Sequence, residues 1–225
     1  MIAILLSAVL ALARDAPVGQ VQATVPMAGA SNSVLVDVPD GRTVTLRRDD
    51  KIVGKPALSP DGRVVAFIRK VGPASELAEG DPTEVVVVDT ATDARRVLLQ
   101  PGSGRKDEWY LNSEGRLTFS PDGRLLYVEV ACPCTSDAVH EITLITGRER
   151  RLAWGNDISV LRDGRWRGDL IMRVHTCYAA HSGCDYPVHV VTPEGRTVYA
   201  VPGTQGADAA EVLARWLTDN GWRAW

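Results

Sequence analysis

The cysteines are the residues best suited to chemistry in this 225-residue chain, and they fall into two close pairs. One pair is Cys132 and Cys134, and the other is Cys177 and Cys184. Four cysteines allow three disulfide pairings. Bonds between the two pairs would tie two parts of the fold together and stabilise it by ~2–4 kcal/mol each. The remaining option, Cys132–Cys134 with Cys177–Cys184, needs a tight three-residue ring that is usually strained.

Metal binding is the alternative use of the same segments, because histidines lie beside the cysteines and thiolate with imidazole suits zinc or copper. The spacing matches no zinc-ribbon or zinc-finger pattern, and an oxidising compartment favours paired thiols. We therefore predict disulfides and expect no cofactor. A metal-binding envelope protein, the alternative function, would use Cys132, Cys134, His175, Cys177, His181 and Cys184, with His140 close by in the sequence.

Catalytic motifs are missing from the sequence. It contains no G-x-S-x-G elbow, no H-E-x-x-H and no phosphate-binding loop. The acidic cluster Glu76, Glu79 and Asp81 indicates a solvated loop more than acid–base catalysis. A net charge of −3 with scattered arginines argues against nucleic-acid binding. We expect a protein that binds a partner and is not an enzyme.

The first thirteen residues, MIAILLSAVLALA, are almost entirely apolar and end in Ala11-Leu12-Ala13. An apolar run closed by A-x-A is typical of a secretory signal peptide, although no basic residue precedes this one. The run is too short for a comfortable membrane span, and no other stretch approaches the ~18 apolar residues that a span needs. We expect export to the periplasm or beyond, no membrane segment after removal of residues 1–13, and another envelope protein or a peptide as partner.

Two copies of one turn motif organise the rest of the chain. Ser59-Pro60-Asp61-Gly62-Arg63 recurs as Ser120-Pro121-Asp122-Gly123-Arg124, each between two apolar strands. Proline presets φ, aspartate bonds the local backbone and glycine supplies a positive φ, so the motif is explained by turn chemistry. A weaker third copy spans 160–174.

A second kind of hairpin alternates with the first, at 34–46, 85–99, 141–153 and 188–201. Together the two kinds predict units of four antiparallel strands, near 55–99, 116–153 and 157–201, with a half unit before them. The predicted fold is all-β: a small or incomplete propeller-like array of about three and a half units, with a short C-terminal α-helix. The predicted divisions are a signal peptide (1–13), a linker or extra strand (14–33), the repeat domain (34–203) and the helix (207–220).

This pattern resembles the propeller repeats of the TolB family, in which an S-P-D-G-[KR] turn is followed by a hydrophobic strand and then a strand ending in V-D-x-x-T-G. Segments 59–92 and 120–147 fit this repeat pattern. In the first of them, Ala91-Thr92-Asp93 stands where the pattern usually has Thr-Gly. The resemblance covers 34–201 and implies a protein-interaction or scaffold module. Similar repeats also form the non-catalytic propeller of prolyl oligopeptidase-like enzymes.

The chain departs from that family in size, since it has no room for the N-terminal α/β domain of TolB and too few units for its six blades. A closed propeller usually needs about four blades or more. Three arrangements stay open: a small irregular propeller, an open curved meander, and a homo-oligomer that pairs sheet edges between chains. An exposed edge has to be covered, and the C-terminal helix is one candidate. Its sequence signals are the capping box Asp208–Glu211 and the apolar positions Val212, Leu213, Trp216 and Leu217.

The strand order also predicts where a site lies. In an up-and-down unit the short turns leave at one end, and the middle and inter-unit connections leave at the other. The long loops 71–83, 100–115, 131–140 and 175–187 therefore share one end, together with all four cysteines, and we expect function there. Core packing between units is the favoured role of Trp109-Tyr110, Trp154 and Trp166, ahead of exposed binding.

Overall fold

The structure is a computed structural model that describes residues 34–38, 41–46, 51–71, 83–100, 110–111, 115–131, 137–178, 183–206 and 208–222. The predicted signal peptide and the segment 14–33 lie outside these residues. The described chain forms strands and one helix. The strands are β1 (Val34–Asp37), β2 (Thr43–Leu46), β3 (Ile52–Leu58), β4 (Val64–Lys70), β5 (Thr83–Asp89), β6 (Arg95–Leu99), β7 (Tyr110–Leu111), β8 (Leu117–Phe119), β9 (Leu125–Ala131), β10 (Ala138–Thr143), β11 (Glu149–Trp154), β12 (Asn156–Val160), β13 (Leu170–Arg173), β14 (Thr176–Tyr178), β15 (Gly183–Asp185), β16 (Val188–Val191) and β17 (Thr197–Ala200); the helix is α1 (Ala209–Asp219).

The strands form three successive antiparallel units after an N-terminal hairpin. The hairpin is β1–β2, unit 1 is β3-β4-β5-β6, unit 2 is built on β8-β9-β10-β11, and unit 3 is β12-β13-β16-β17. The predicted all-β array of propeller-type units with a short C-terminal helix is therefore confirmed. Two details were not predicted: β7 also pairs with β9, and a two-stranded hairpin, β14–β15, is inserted in unit 3.

The S-P-D-G-R turns show why those residue types recur. The Ser59 hydroxyl donates to Asp61 at 2.7 Å and accepts the Val64 N–H at 2.9 Å, while Asp61 accepts the Arg63 N–H at 3.1 Å. Gly62 has a φ of +72°, which favours glycine. In the second copy Ser120 donates to Asp122 at 2.6 Å and accepts from Leu125 at 3.0 Å. The hydrogen bond from Ser120 is the main cause that lowers the pKa of Asp122.

Each of the three units buries both of its faces, so the units stack in chain order. The N-terminal hairpin covers one face of unit 1, the other face of unit 1 packs on unit 2, and the far face of unit 2 packs on unit 3. The three apolar layers are, in that order, Val36, Leu46, Phe67 and Val86; Ile68, Val85, Leu126 and Val128; and Tyr127, Val139, Leu170 and Met172, with their neighbours.

Helix α1 covers the last face of the stack, where a further blade would pack in a longer array. Leu217 is buried with Ile171 and Val190 of unit 3, and the rings of Trp166 and Trp216 stack at 4.9 Å. The helix thus packs on the sheet, as predicted. Trp166 lies between them and has the core role that we favoured for it. The chain also approaches closely at Gly164, where an added Cβ would collide with the Asn220 carbonyl oxygen.

The predicted capping box of α1 is wrong. Asp208 occupies the N-cap, but its side chain makes no capping hydrogen bond. Its backbone, at φ −91° and ψ 10°, is outside the extended region from which an N-cap side chain reaches the first turn. Packing of the apolar face, and not a cap, therefore accounts for the position of the helix.

Arginines also join consecutive layers of the stack at the short-turn end. In each case a side chain from one layer donates to a backbone carbonyl in the outer turn of the next layer. The three bonds run from Arg42 to Thr90 (2.9 Å), from Arg96 to Leu144, and from Arg150 to Pro193 (2.6 Å).

Replacing Arg150 tests this link. Arg150→Ala removes the bond to Pro193 and two bonds, of 3.0 and 2.9 Å, to the carboxylate of Glu141, which is largely buried. We expect a loss of about 1–2 kcal/mol in unfolding free energy, measured by urea denaturation. Arg148→Ala, an exposed arginine of the same hairpin, is the matched control and should change it by less than about 0.5 kcal/mol. Equal losses would contradict the inter-unit role.

Candidate functional site

The two ends of the stack differ, and the difference separates structural residues from candidate functional ones. Both S-P-D-G-R turns lie at one end, where an added Cβ on Gly123 would be 3.6 Å from Cδ of Pro60, so the turns of units 1 and 2 touch. The middle connections, which follow β4, β9 and β13, leave at the opposite end. We call this opposite end the loop end.

The most elaborate described feature of the loop end is the β14–β15 hairpin between β13 and β16. Cys177 and Cys184 are direct partners across it and form a disulfide, with a Cα–Cα distance of 4.1 Å. Neither is therefore bonded to Cys132 or Cys134, and the pairing between the two segments is not formed. The sequence predicted a loop at 175–187, because strands of only three residues show no recognisable alternation of apolar and polar residues. It therefore gave no sign that Cys177 and Cys184 face each other. Cys132 and Cys134 lie outside the described residues.

A histidine lies beside the disulfide, and a tyrosine ring packs against that histidine. Nε2 of His175 is 3.5 Å from Sγ of Cys177, and the His175 ring lies 5.0 Å from the Tyr186 ring. One potential ligand atom each from His175, Cys177 and Cys184 falls within 4.8 Å of the others. Of the six residues in the predicted metal alternative, the structure brings these three together. His181, like Cys132 and Cys134, is outside the described residues.

His140 does not belong to this cluster, which corrects its assignment to a long loop. It lies within β10, is buried, and its Nδ1 contacts the Glu149 carboxylate. Strand β10 begins earlier than its sequence suggests, because the apolar residues Ala138 and Val139 are already buried in the sheet. His140 therefore belongs to the structure of unit 2.

Aromatic side chains are exposed at the loop end. Tyr186, next to the disulfide hairpin, is 41% exposed, and Trp154, at the end of β11, is 39% exposed. The guanidinium of Arg151 lies 4.5 Å from the centre of the Trp154 ring, which holds the indole on the surface. The core role favoured for Trp154 is therefore wrong. Trp109 and the side chain of Tyr110 are outside what is described.

Charged residues join units 2 and 3 near the same end. The Asp157 carboxylate bonds Arg116 at 2.9 Å and Arg173 at 3.3 Å. Behind them Glu129 of β9 is only 5% exposed and accepts the backbone N–H of Ile158 in unit 3. Burial raises the pKa of Glu129 to about 7, against lowering contributions from the backbone N–H groups of Ile158 and Arg116. Sequence reasoning missed Glu129, since one glutamate in a strand carries no signal of its surroundings.

Comparisons with known proteins found similarity among solved structures. No family model matches the sequence, and no curated protein matches it either. Similar solved structures include TolB from Acinetobacter baumannii, at 19% identity over 75% of this chain and 37% of that one, with a TM-score of 0.48. The β-propeller domain of the Trilobed protease from Pyrococcus furiosus has 17% identity over 75% of this chain and 49% of that one, with a TM-score of 0.47.

An oligogalacturonate lyase in complex with manganese is also similar, at 16% identity over 75% of this chain and 41% of that one, with a TM-score of 0.45. The chain spans less than half the length of each of these three proteins. At such identities the similarity concerns the fold alone. In the described part of the chain, no helix has the length and apolar character needed to cross a membrane.

The raised pKa of Glu129 predicts a specific pH dependence. The carboxyl holds its proton up to about pH 7 in the folded protein but only to about 4.5 when unfolded, so its contribution to stability is lost as pH rises between these values. Glu129→Gln does not titrate, so its stability relative to the parent should rise by about 3 kcal/mol between pH 4 and pH 8.

Urea unfolding at pH 4, 6 and 8 would measure this difference. Glu211→Gln, on the exposed surface of α1, is the control and should show almost no pH-dependent change relative to the parent. A pH-independent difference between Glu129→Gln and the parent would show that Glu129 has the same pKa in the folded and the unfolded protein.

Proposed function

We propose that this protein is a non-catalytic protein- or peptide-binding module of the periplasm or the extracellular space, and that its loop end is the binding surface. The observation that carries the proposal is the pair of exposed aromatic side chains, Trp154 and Tyr186, at the end where the variable loops emerge. Tyrosine and tryptophan are enriched among the residues that dominate binding energy, and loops on a rigid scaffold commonly carry function.

The disulfide supports an oxidising location. Cys177 and Cys184 are exposed on a peripheral hairpin, where reductants of the cytosol would reach their bond. Disulfides persist mainly in secreted and periplasmic proteins. The apolar run at 1–13, with its A-x-A ending, supports the same compartment.

The placement of the buried acids supports a binding role over catalysis. Glu84 is bonded by Arg69, Glu141 by Arg150, and Glu129 by backbone N–H groups of two units. These carboxylates lie within sheets or between them, so structural bonding accounts for each. Self-association through sheet edges, the other predicted kind of partner, stays a prediction.

The surface chemistry of the loop end indicates the kind of partner. Among the described residues there, the Asp157 carboxylate is already paired with Arg116 and Arg173. Two aromatic rings are exposed in the described part of this end, and one of them is backed by Arg151. An extended segment or loop with apolar side chains, presented by an envelope protein, fits this surface.

Substitution of the two aromatic residues tests the proposal. Immobilised parent protein and the variant Trp154→Ala with Tyr186→Ala would be incubated with envelope extract, and captured proteins quantified by mass spectrometry. A partner held by such residues should lose about tenfold or more in capture, because truncating a hot-spot aromatic costs about 2 kcal/mol or more.

The matched control is Ile145→Ala, which removes an 85% exposed apolar side chain from the opposite, short-turn end. It should capture the partner as the parent does. Undiminished capture by the double variant, or equal loss in the Ile145 control, would refute the loop end as the binding surface. Analytical ultracentrifugation of the purified parent separates capture of a foreign protein from self-association.

A further inference from the structure

We propose that His175, Cys177 and Cys184 form a redox-gated site for a thiophilic metal ion of the Zn²⁺ or Cu⁺ type. In the oxidised protein the two sulfurs are bonded to each other and the site is closed. In the reduced protein the same hairpin offers two thiolates and one imidazole to a metal. The inference does not depend on the proposed binding role, because metal retention is measured on the purified protein without a partner.

The geometry of the hairpin supports the site. The cysteines are opposite each other on adjacent antiparallel strands, with their Cα atoms 4.1 Å apart. Strand pairing alone keeps directly opposite residues about 4.5–5.5 Å apart, so the two thiols stay neighbours after reduction. His175, one residue before β14, brings its Nε2 to 3.5 Å from Sγ of Cys177. The three ligand atoms lie within 4.8 Å of one another, a spacing that small side-chain rotations convert into bonds to one ion.

The surroundings place the imidazole and leave the sulfurs accessible. The Tyr186 ring lies against the His175 ring at 5.0 Å, which limits the orientations of the imidazole. Both cysteines are exposed, so a reductant and a metal ion reach them without unfolding of the sheets. Neither cysteine belongs to the apolar layers between units, and opening the bond leaves those layers intact.

The redox step balances with a dithiol reductant. One thiolate of the reductant attacks a sulfur of the Cys177–Cys184 bond, and its second thiol then releases the protein, leaving the reductant as a disulfide. Two electrons and two protons pass to the protein, which now carries two thiols. Metal binding releases those two protons, because thiolates are the ligands, while neutral His175 donates a nitrogen lone pair.

Three protein ligands leave one position of a tetrahedral zinc ion for water or a fourth ligand. Thiolate ligands also select Cu⁺ over harder ions, so the site discriminates against Mg²⁺ and Ca²⁺. Because sulfurs joined in a disulfide do not act as thiolates, the oxidised protein retains no ion. The thiol state thus determines whether the metal is held.

The test uses the full chain with Cys132→Ser and Cys134→Ser, so that only Cys177 and Cys184 remain as thiols. The protein is reduced with a dithiol under anaerobic conditions, freed of reductant, and incubated with Zn²⁺ or, separately, with Cu⁺. After gel filtration we expect about one metal ion per chain by elemental analysis, and almost none on the oxidised sample. With Co²⁺ as a spectroscopic probe, thiolate-to-metal charge-transfer absorption should appear only after reduction.

Two further variants assign the ligands. Cys177→Ser with Cys184→Ser, which keeps Cys132 and Cys134, should retain no metal in the reduced state. His175→Ala, in the background without Cys132 and Cys134, should weaken Zn²⁺ binding at least about tenfold, because even loss of a group that only supports a ligand costs about 10–100-fold. Circular dichroism would establish that each variant keeps the β fold.

Failure of the reduced protein without Cys132 and Cys134 to retain Zn²⁺ or Cu⁺ would overturn the proposal. So would equal retention by its oxidised form, or full retention by the variant lacking Cys177 and Cys184. None of these results bears on partner capture through Trp154 and Tyr186, so the two proposals fail separately.

Discussion

The three four-stranded units of this protein are each apolar on both faces, and both faces have to be kept from water. Strand β5 shows the constraint most clearly, since its first six residues are all buried. A sheet of this kind is stable only between two other layers, because exposed apolar surface costs roughly 25 cal/mol per Å². The stacking of the N-terminal hairpin, the three units and the helix follows from that requirement.

The same constraint shapes the outer layers of the described stack. The outer face of the N-terminal hairpin is mostly polar, with Asp37, Thr43 and Thr45 exposed. Helix α1 presents the exposed pair Glu211 and Arg215 to water while its other side covers unit 3. Within the described part of the chain, both outer layers therefore have one apolar and one polar face, as the capping layers of repeat arrays do.

The residues that hold the stack together are different from those that are candidates for binding. Apolar layers and arginine-to-carbonyl bonds hold the units, whereas the disulfide hairpin and the exposed aromatic residues project from the loop end. Changes at Cys177, Cys184, Trp154 or Tyr186 therefore touch no apolar layer between sheets. This arrangement, in which variable loops extend from a rigid scaffold, is the usual one for binding surfaces.

The repeated units were visible in the sequence because their turns depend on hydrogen bonds between near neighbours. Ser59, Asp61 and Gly62 make their turn bonds within six residues, and the recurrence of the motif at Ser120 marks the next unit. The apolar face of α1 was likewise visible from its helical spacing. The partners of single residues were not visible: Cys177 faces Cys184 only in the register of a short hairpin, and Glu129 meets Ile158 only when units 2 and 3 stack. The exposure of Trp154 was equally hidden, since an indole suits a core as well as a surface. Contacts between residues distant in sequence depend on how layers pack, and only the tertiary structure decides them.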